Sequence, residues 1–87
     1  MSTKPAAKVQ ESPTGSMEKI AYASVSSIPT IEPNDQNRLG YHIWRWLLKK
    51  EGSIENAVKE SGSRLKITTS EAAKIITESL KKQGIIQ

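Results

Sequence analysis

The sequence has 87 residues, a mass of 9.6 kDa and a formal net charge of +4 at pH 7. This length allows one small domain, and the hydrophobic fraction of 36% is low enough to suggest that part of the chain stays unfolded. The absence of cysteine excludes disulfides and thiolate metal sites. No apolar run is long enough to span a bilayer and no secretory signal is present, so we expect a cytoplasmic protein without a membrane partner.

The positive charge is unevenly distributed along the chain. In residues 1–33 three lysines balance three glutamates, so the whole surplus lies beyond residue 33. A basic folded region favours an anionic partner such as nucleic acid, although mild basicity also serves solubility alone.

The first seventeen residues are predicted to form a disordered tail, because they are rich in Ser, Thr, Pro and Lys and almost free of large apolar side chains. Gly15, Ser16 and Met17 match a cloning junction followed by a second start methionine. A natural flexible tail is the alternative interpretation. We assign the folded domain to residues 18–87.

Residues 20–31 carry apolar side chains at short spacings, and Pro29 and Pro33 limit any strand there. The pattern predicts a short strand over residues 20–25 within an extended segment that lies across a helical core.

Pro33, Asn34 and Asp35 predict the start of a long helix with Asn34 or Asp35 as its N-cap, and the helix is expected to run to Glu51 and stop at Gly52. Helical spacing places an ordinary core face on one side, formed by Leu39, Ile43, Trp46 and Leu47. A second apolar stripe lies roughly opposite and consists of Tyr41, Trp44 and Leu48. A basic ridge runs between the two faces and consists of Arg38, His42, Arg45 and Lys49.

A helix with two apolar faces needs two covers. The helices that follow supply one cover. The other is residues 20–31 folding back, a second copy of the chain, or a partner protein.

Two further helices are predicted within residues 52–87. Ser53 is an N-cap and Gly62 closes the first helix, while Thr68 and Glu71 have capping-box spacing at the start of the second. Gly84 suits the C-terminal end of the second helix. Its inward side is predicted to hold Ala72, Ala73, Ile75, Ile76 and Leu80. The centre of its outward face is predicted to hold Ser70, Lys74, Thr77 and Lys81.

Catalysis is not expected from this sequence. His42 is the only histidine, and no carboxylate lies at helical spacing to orient it as a general base. A single imidazole without cysteines does not make a zinc site, and the glycines form no phosphate-binding loop. We therefore expect a non-enzyme with no cofactor, no metal and no small-molecule substrate.

Residues 36–87 resemble the winged-helix and helix-turn-helix superfamily. The resemblance is carried by the helix ending LLKKEG, the segment SIENAVKESG and the ending SEAAKIITESLKKQGII. It implies a mainly α domain of three helices with minor short β-strands. The connection over residues 63–69 is longer than usual, and Leu65 and Ile67 in it alternate as in a strand. Ile85 and Ile86 are expected to pair as a single strand either with this stretch or with residues 20–25. No residues follow for a wing hairpin, so the wing is expected to be absent or broken.

The resemblance implies non-enzymatic binding of double-stranded DNA, by a small regulator or by the DNA-binding part of a larger assembly. In a helix-turn-helix the second helix, here about residues 69–83, enters the major groove. The contacts to bases and phosphates would come from Arg64, Lys66, Thr69, Ser70, Lys74, Thr77 and Lys81. Lysines on an exposed helix also commonly serve solvation alone.

The alternative hypothesis is a protein-docking or dimerisation module, because broken-winged members of the superfamily resemble docking modules. Exposed aromatic side chains beside arginine are typical of interface hot spots. The docking surface would consist of Tyr41, Trp44, Arg45 and Leu48.

Overall fold

The computed structural model describes residues 13–86, with side chains described from Ser16 onward. Its helices are α1 (Pro13–Val25), α2 (Pro33–Lys49), α3 (Ile54–Ser61) and α4 (Thr69–Lys82). The prediction of a mainly α fold is confirmed. Within residues 13–86 four helices occur rather than three, and no strand occurs in that range.

Helix α1 lies where the sequence predicted an extended segment and a tail. Residues 20–25 are helical, so the strand predicted there is wrong, and the helix includes residues 13–17 of the predicted tail. Residues 1–12 lie outside the described residues. Ala21, Ser24, Val25 and Ile28 are buried at helical spacing. Because two of them are small, the apolar pattern of α1 resembles irregular structure more than an amphipathic helix.

Helix α1 folds back onto α2 through a close contact at Gly40. A Cβ atom placed on Gly40 would lie 2.5 Å from Tyr22 Cε1, so the Tyr22 ring occupies the space of a missing side chain. Glycine therefore lets the two helices approach more closely than any other residue would allow.

Helix α2 begins one residue earlier than its predicted cap. Glu32 is the N-cap and Pro33 occupies the first helical position, so the prediction of Asn34 or Asp35 as the cap is wrong. Proline suits the first position because its missing N–H would have no helical partner there. The helix ends at Lys49, short of the predicted residue 51, since Lys50 adopts a left-handed conformation with φ of 55°.

The predicted caps of α3 and α4 are confirmed. The Ser53 hydroxyl accepts from the Asn56 N–H at 3.0 Å, and Gly62 ends α3 with φ of 66°. Thr68 and Glu71 form both bonds of the capping box at the start of α4, at 3.0 and 3.2 Å.

The end of α4 also follows the sequence prediction. Gly84 has φ of 74° and donates its N–H to Lys81 O, and Ile85 donates to Leu80 O, both at 3.0 Å. These are the two bonds of a Schellman motif, and they satisfy carbonyls that a helix end otherwise leaves open.

The four helices form a closed ring around one core. Each helix packs on the next in the chain, and α1 also packs on α4. The Gln83 amide donates to the fully buried Ser24 hydroxyl at 3.3 Å, which joins the C-terminal ends of α4 and α1. The largest fully buried apolar side chains are Leu39, Ile43, Leu47, Ile76, Leu80 and Val25. None of the helices in residues 13–86 has the length and apolar character that crossing a bilayer requires.

Candidate functional site

The outer side of α2 exposes an apolar stripe that consists of Tyr41, Trp44 and Leu48. Tyr41 is 46% exposed and Leu48 is 47% exposed, and they are the exposed large hydrophobic side chains of the described residues. Seven residues separate them, which corresponds to about 10 Å along a helix axis. The second apolar face predicted for α2 is therefore present on the surface.

Trp44 links this apolar stripe to the core. It follows Gly40 by one helical turn, on the side where α1 crosses α2, and it is half-buried. Its ring meets the Tyr41 ring edge-on, with centroids 6.2 Å apart. The indole Nε1 is buried and has no hydrogen-bond partner among the described residues.

A basic ridge borders the apolar stripe and consists of Arg38, His42, Arg45 and Lys49. Three of these side chains are exposed and His42 is half-buried. The Arg45 guanidinium lies 5.6 Å from the centre of the Tyr41 ring. A cation over an aromatic face at an exposed site contributes about 0.5–1 kcal/mol. The charged and apolar parts of this surface are thus in direct contact.

On its other side the basic ridge borders a groove of about 300 Å³ between α2 and α3. Trp46 lines the groove and donates its indole N–H to Gly52 O at 3.0 Å, which fixes the loop between the two helices. Asn56 and Glu60 line it from α3. Sequence reasoning missed this groove, because no local pattern shows how α2 and α3 cross.

The outer side of α4 is polar. Ser70, Lys74 and Lys81 are exposed and Thr77 is half-buried. Their spacing of four, three and four residues places them on one stripe about 16 Å long. Glu71 and Glu78 are exposed on the same helix. Four of the α4 residues predicted to contact DNA, Ser70, Lys74, Thr77 and Lys81, therefore share one face, with acidic side chains nearby.

Arg64 and Lys66 lie apart from that stripe, beside the start of α2. The Ser63 hydroxyl donates to Asp35 O at 3.1 Å, which holds the α3–α4 connection against the first turn of α2. As a result Arg64 and Lys66 line a groove of about 650 Å³ together with Glu32 and Asp35. The two acidic residues reduce the positive potential that these cations offer to a phosphate.

Thr69 lies in a third place. It lines a shallow groove under the α3–α4 connection with Lys59, Leu65 and Ile67. The seven residues predicted to bind DNA are therefore divided between the α4 stripe and two grooves at the α3–α4 connection.

Within residues 13–86, no three His, Cys, Asp or Glu side chains come together in a way that would hold a metal ion. His42 stands with its ring 5.8 Å from that of Tyr41, between an aromatic neighbour and the other members of the basic ridge.

Comparison with protein-family models, with curated proteins and with solved structures found no match. The resemblance to the winged-helix superfamily therefore stays a prediction made from residue patterns.

Proposed function

We propose that this chain is a non-enzymatic protein-docking module that binds its partner through the apolar stripe and basic ridge of α2. The observation that carries the proposal is the pair of exposed side chains, Tyr41 and Leu48, on one face of a helix whose other side is fully packed. Burial of apolar surface contributes roughly 25 cal/mol per Å² of stabilisation, so covering these two side chains with a partner is favourable.

The chemistry of the neighbouring residues supports the same function. Tyrosine and arginine are enriched at the energetic centres of protein interfaces, and here Arg45 is already placed over Tyr41. Tyr41 has few rotatable bonds and half of its surface is already packed, so ordering it on binding costs little entropy.

The second candidate is binding of double-stranded DNA by α4, as a small regulator or as the DNA-binding part of a larger assembly. The exposed stripe of Ser70, Lys74 and Lys81 favours it, because these side chain types bind phosphates and base edges. The helix is also firmly capped at both ends. The helix-turn-helix arrangement of α3 and α4 belongs to this candidate.

One experiment separates the two candidates by using a matched pair of surface variants. The wild-type chain, Tyr41→Ala/Leu48→Ala and Lys74→Glu/Lys81→Glu are each used to capture proteins from the organism of origin, with quantitative mass spectrometry as the readout. If the docking function is right, some captured proteins should be recovered at least tenfold less with Tyr41→Ala/Leu48→Ala than with the wild-type chain. Their recovery with Lys74→Glu/Lys81→Glu should be unchanged. Binding of those proteins is then measured with purified components. Equal recovery by all three chains would contradict docking through α2.

The DNA candidate is tested by NMR titration of labelled protein with a generic duplex, at low and then at physiological salt. It predicts shifts at Ser70, Lys74 and Thr77 that fade as salt rises, because phosphate binding releases counterions. Lys74→Glu should abolish those shifts. Their absence at low salt would exclude α4 as a recognition helix.

A further inference from the structure

We infer that the docking partner presents an acidic amphipathic segment, with apolar side chains that cover Tyr41 and Leu48 and carboxylates that meet the basic ridge. This inference rests on the proposed docking function and specifies the partner. Three arguments support it: the charge of α2, the geometry of its exposed surface, and the poor fit of other binding partners to that surface.

The exposed side of α2 carries several cations and no acid of its own, while Glu51 and Glu60 line the same groove as Arg45 and Lys49. Residues 36–50 contain Arg38, Arg45, Lys49 and Lys50 and no Asp or Glu. On α4, by contrast, Glu71 and Glu78 lie among Lys74, Lys81 and Lys82. Like charges on one helix face are destabilising by a few tenths of a kcal/mol for each close pair. A partner that brings carboxylates removes this repulsion when it binds.

The geometry requires a partner that is both apolar and acidic. Arg38, Arg45 and Lys49 extend over eleven residue steps, about 16 Å of helix, and the apolar stripe runs beside them. The Arg45 guanidinium lies 5.6 Å from the Tyr41 ring centre. A partner side chain that packs on Tyr41 is therefore next to a partner side chain that pairs with Arg45. An amphipathic helix places apolar and charged residues side by side at the same spacing.

A second copy of this chain fits the surface poorly. A two-fold dimer uses the same patch on both copies, so the patch must be complementary to itself. The exposed face of α2 holds cations and no acid of its own, and each copy carries a net charge of +4. Self-association would leave the basic ridges of both copies without partners.

The first residues of the chain and nucleic acids are also less suitable than an acidic protein. Residues 1–12 contain Lys4 and Lys8 against a single acid, Glu11, so their charge does not complement the ridge. A single-stranded nucleic acid would offer phosphates to the ridge and a base to Tyr41. It would not offer the aliphatic side chains with which a protein segment covers Leu48, which is as exposed as Tyr41.

Selection from a displayed library of random peptides tests the inference. Peptides of about sixteen residues match the length of the exposed face, ~24 Å as a helix. The library is selected on the wild-type chain and counter-selected on Tyr41→Ala/Leu48→Ala. We expect enriched sequences with apolar residues at helical spacing and Asp or Glu beside them. Arg45→Glu/Lys49→Glu should weaken their binding at least tenfold, and Lys74→Glu/Lys81→Glu should leave it unchanged.

A charge-swapped control peptide, with Lys in place of each Asp and Glu, should not bind the wild-type chain. It should bind the Arg45→Glu/Lys49→Glu variant better than the acidic peptide does. Circular dichroism checks that every variant folds, and Leu48→Lys alone replaces the double variant if that one does not.

The other outcomes overturn the inference in distinguishable ways. Neutral or basic peptides that need Tyr41 and Leu48 would overturn the acidic partner and keep the docking function. A concentration-dependent dimer in sedimentation that Leu48→Lys abolishes would identify a second copy as the occupant. The docking function would also be overturned if the selection yields no Tyr41-dependent peptide and the chain is a monomer. The same conclusion would follow if only a single-stranded oligonucleotide binds and its binding depends on Arg45.

Discussion

The outer faces of α2 and α4 differ in a way that their inner faces do not. On the inside both helices bury fully covered aliphatic side chains in the same core, such as Leu39 and Ile43 on α2 and Ile76 and Leu80 on α4. On the outside α2 exposes an apolar stripe and a basic ridge, whereas α4 exposes only polar and charged residues. Stability alone explains the inner faces and leaves the outer difference unexplained.

The charges make the same distinction. On α4 the exposed Glu78 lies four residues from both Lys74 and Lys82, a spacing at which opposite charges support a helix. On α2 Arg45 and Lys49 repel each other at that spacing, and no acid lies between residues 36 and 50. The α4 surface carries its own acids beside its lysines, whereas α2 itself carries only cations, as the proposed acidic partner requires.

The first prediction tests whether α1 limits the exposed surface of α2. Gly40→Ala should destabilise the fold by about 1–3 kcal/mol, because the new methyl group overlaps the Tyr22 ring. This cost outweighs the gain of about 1 kcal/mol in helix propensity that alanine brings. Urea denaturation followed by circular dichroism measures it.

The Tyr22→Ala background provides the control for that prediction. With the ring removed, Gly40→Ala should become neutral or stabilising, since only the propensity gain remains. An equal cost in both backgrounds would show that α1 does not lie on Gly40, and the separation of α2 into covered and exposed sides would fail.

Local chemistry explains which parts of this structure could be predicted from the sequence. The limits of α3 and the start of α4 follow from local residues: Ser53 caps the Asn56 N–H three positions ahead, Gly62 ends α3, and Thr68 and Glu71 are three positions apart. The core and outer faces of α2 follow from a single period of 3.6 residues. Both kinds of signal lie within one segment of the chain.

What could not be predicted depends on contacts between distant segments. The buried positions of α1 include the small residues Ala21 and Ser24, and the helix packs on a glycine of α2 that no local pattern connects to Tyr22. The position of Arg64 and Lys66 depends on a hydrogen bond from Ser63 to Asp35, 28 residues away. The candidate α2 surface was predictable, and the scattering of the candidate DNA residues was not.

The second prediction concerns the start of α4, which presents Ser70. Thr68→Ala removes the hydroxyl of the capping box and should cost about 1 kcal/mol of stability. Hydrogen exchange should show faster opening of the Glu71 N–H. Ser53→Ala is the matched variant at the start of α3. If α4 is only a solvated helix, both variants should still bind a docking partner at temperatures where the protein is folded. Loss of partner binding in Thr68→Ala but not in Ser53→Ala would place the docking site near α4.

The third prediction compares the two tryptophans of α2. Trp46→Phe removes the hydrogen bond to Gly52 O and should cost about 0.5–1.5 kcal/mol. Trp44→Phe should be neutral or slightly stabilising, because its indole N–H is buried without a partner among the described residues. Thermal unfolding of both variants measures the two changes in stability. A larger cost for Trp44→Phe would mean that the N–H is satisfied, and that Trp44 belongs to the core more than to the surface.

The last prediction has the smallest expected effect on stability and tests the difference between the outer faces of α2 and α4. Leu48→Lys gives α2 a charged residue like those of α4, and it should change the free energy of unfolding by less than about 0.5 kcal/mol, as surface substitutions do. The adjacent Leu47→Ala is the control and should cost about 2–5 kcal/mol, because Leu47 is 2% exposed. Denaturant titration of both variants measures this difference between neighbouring leucines. A cost near that of Leu47→Ala would mean that Leu48 is covered within the chain, and α2 would then present no apolar surface for a partner to bind.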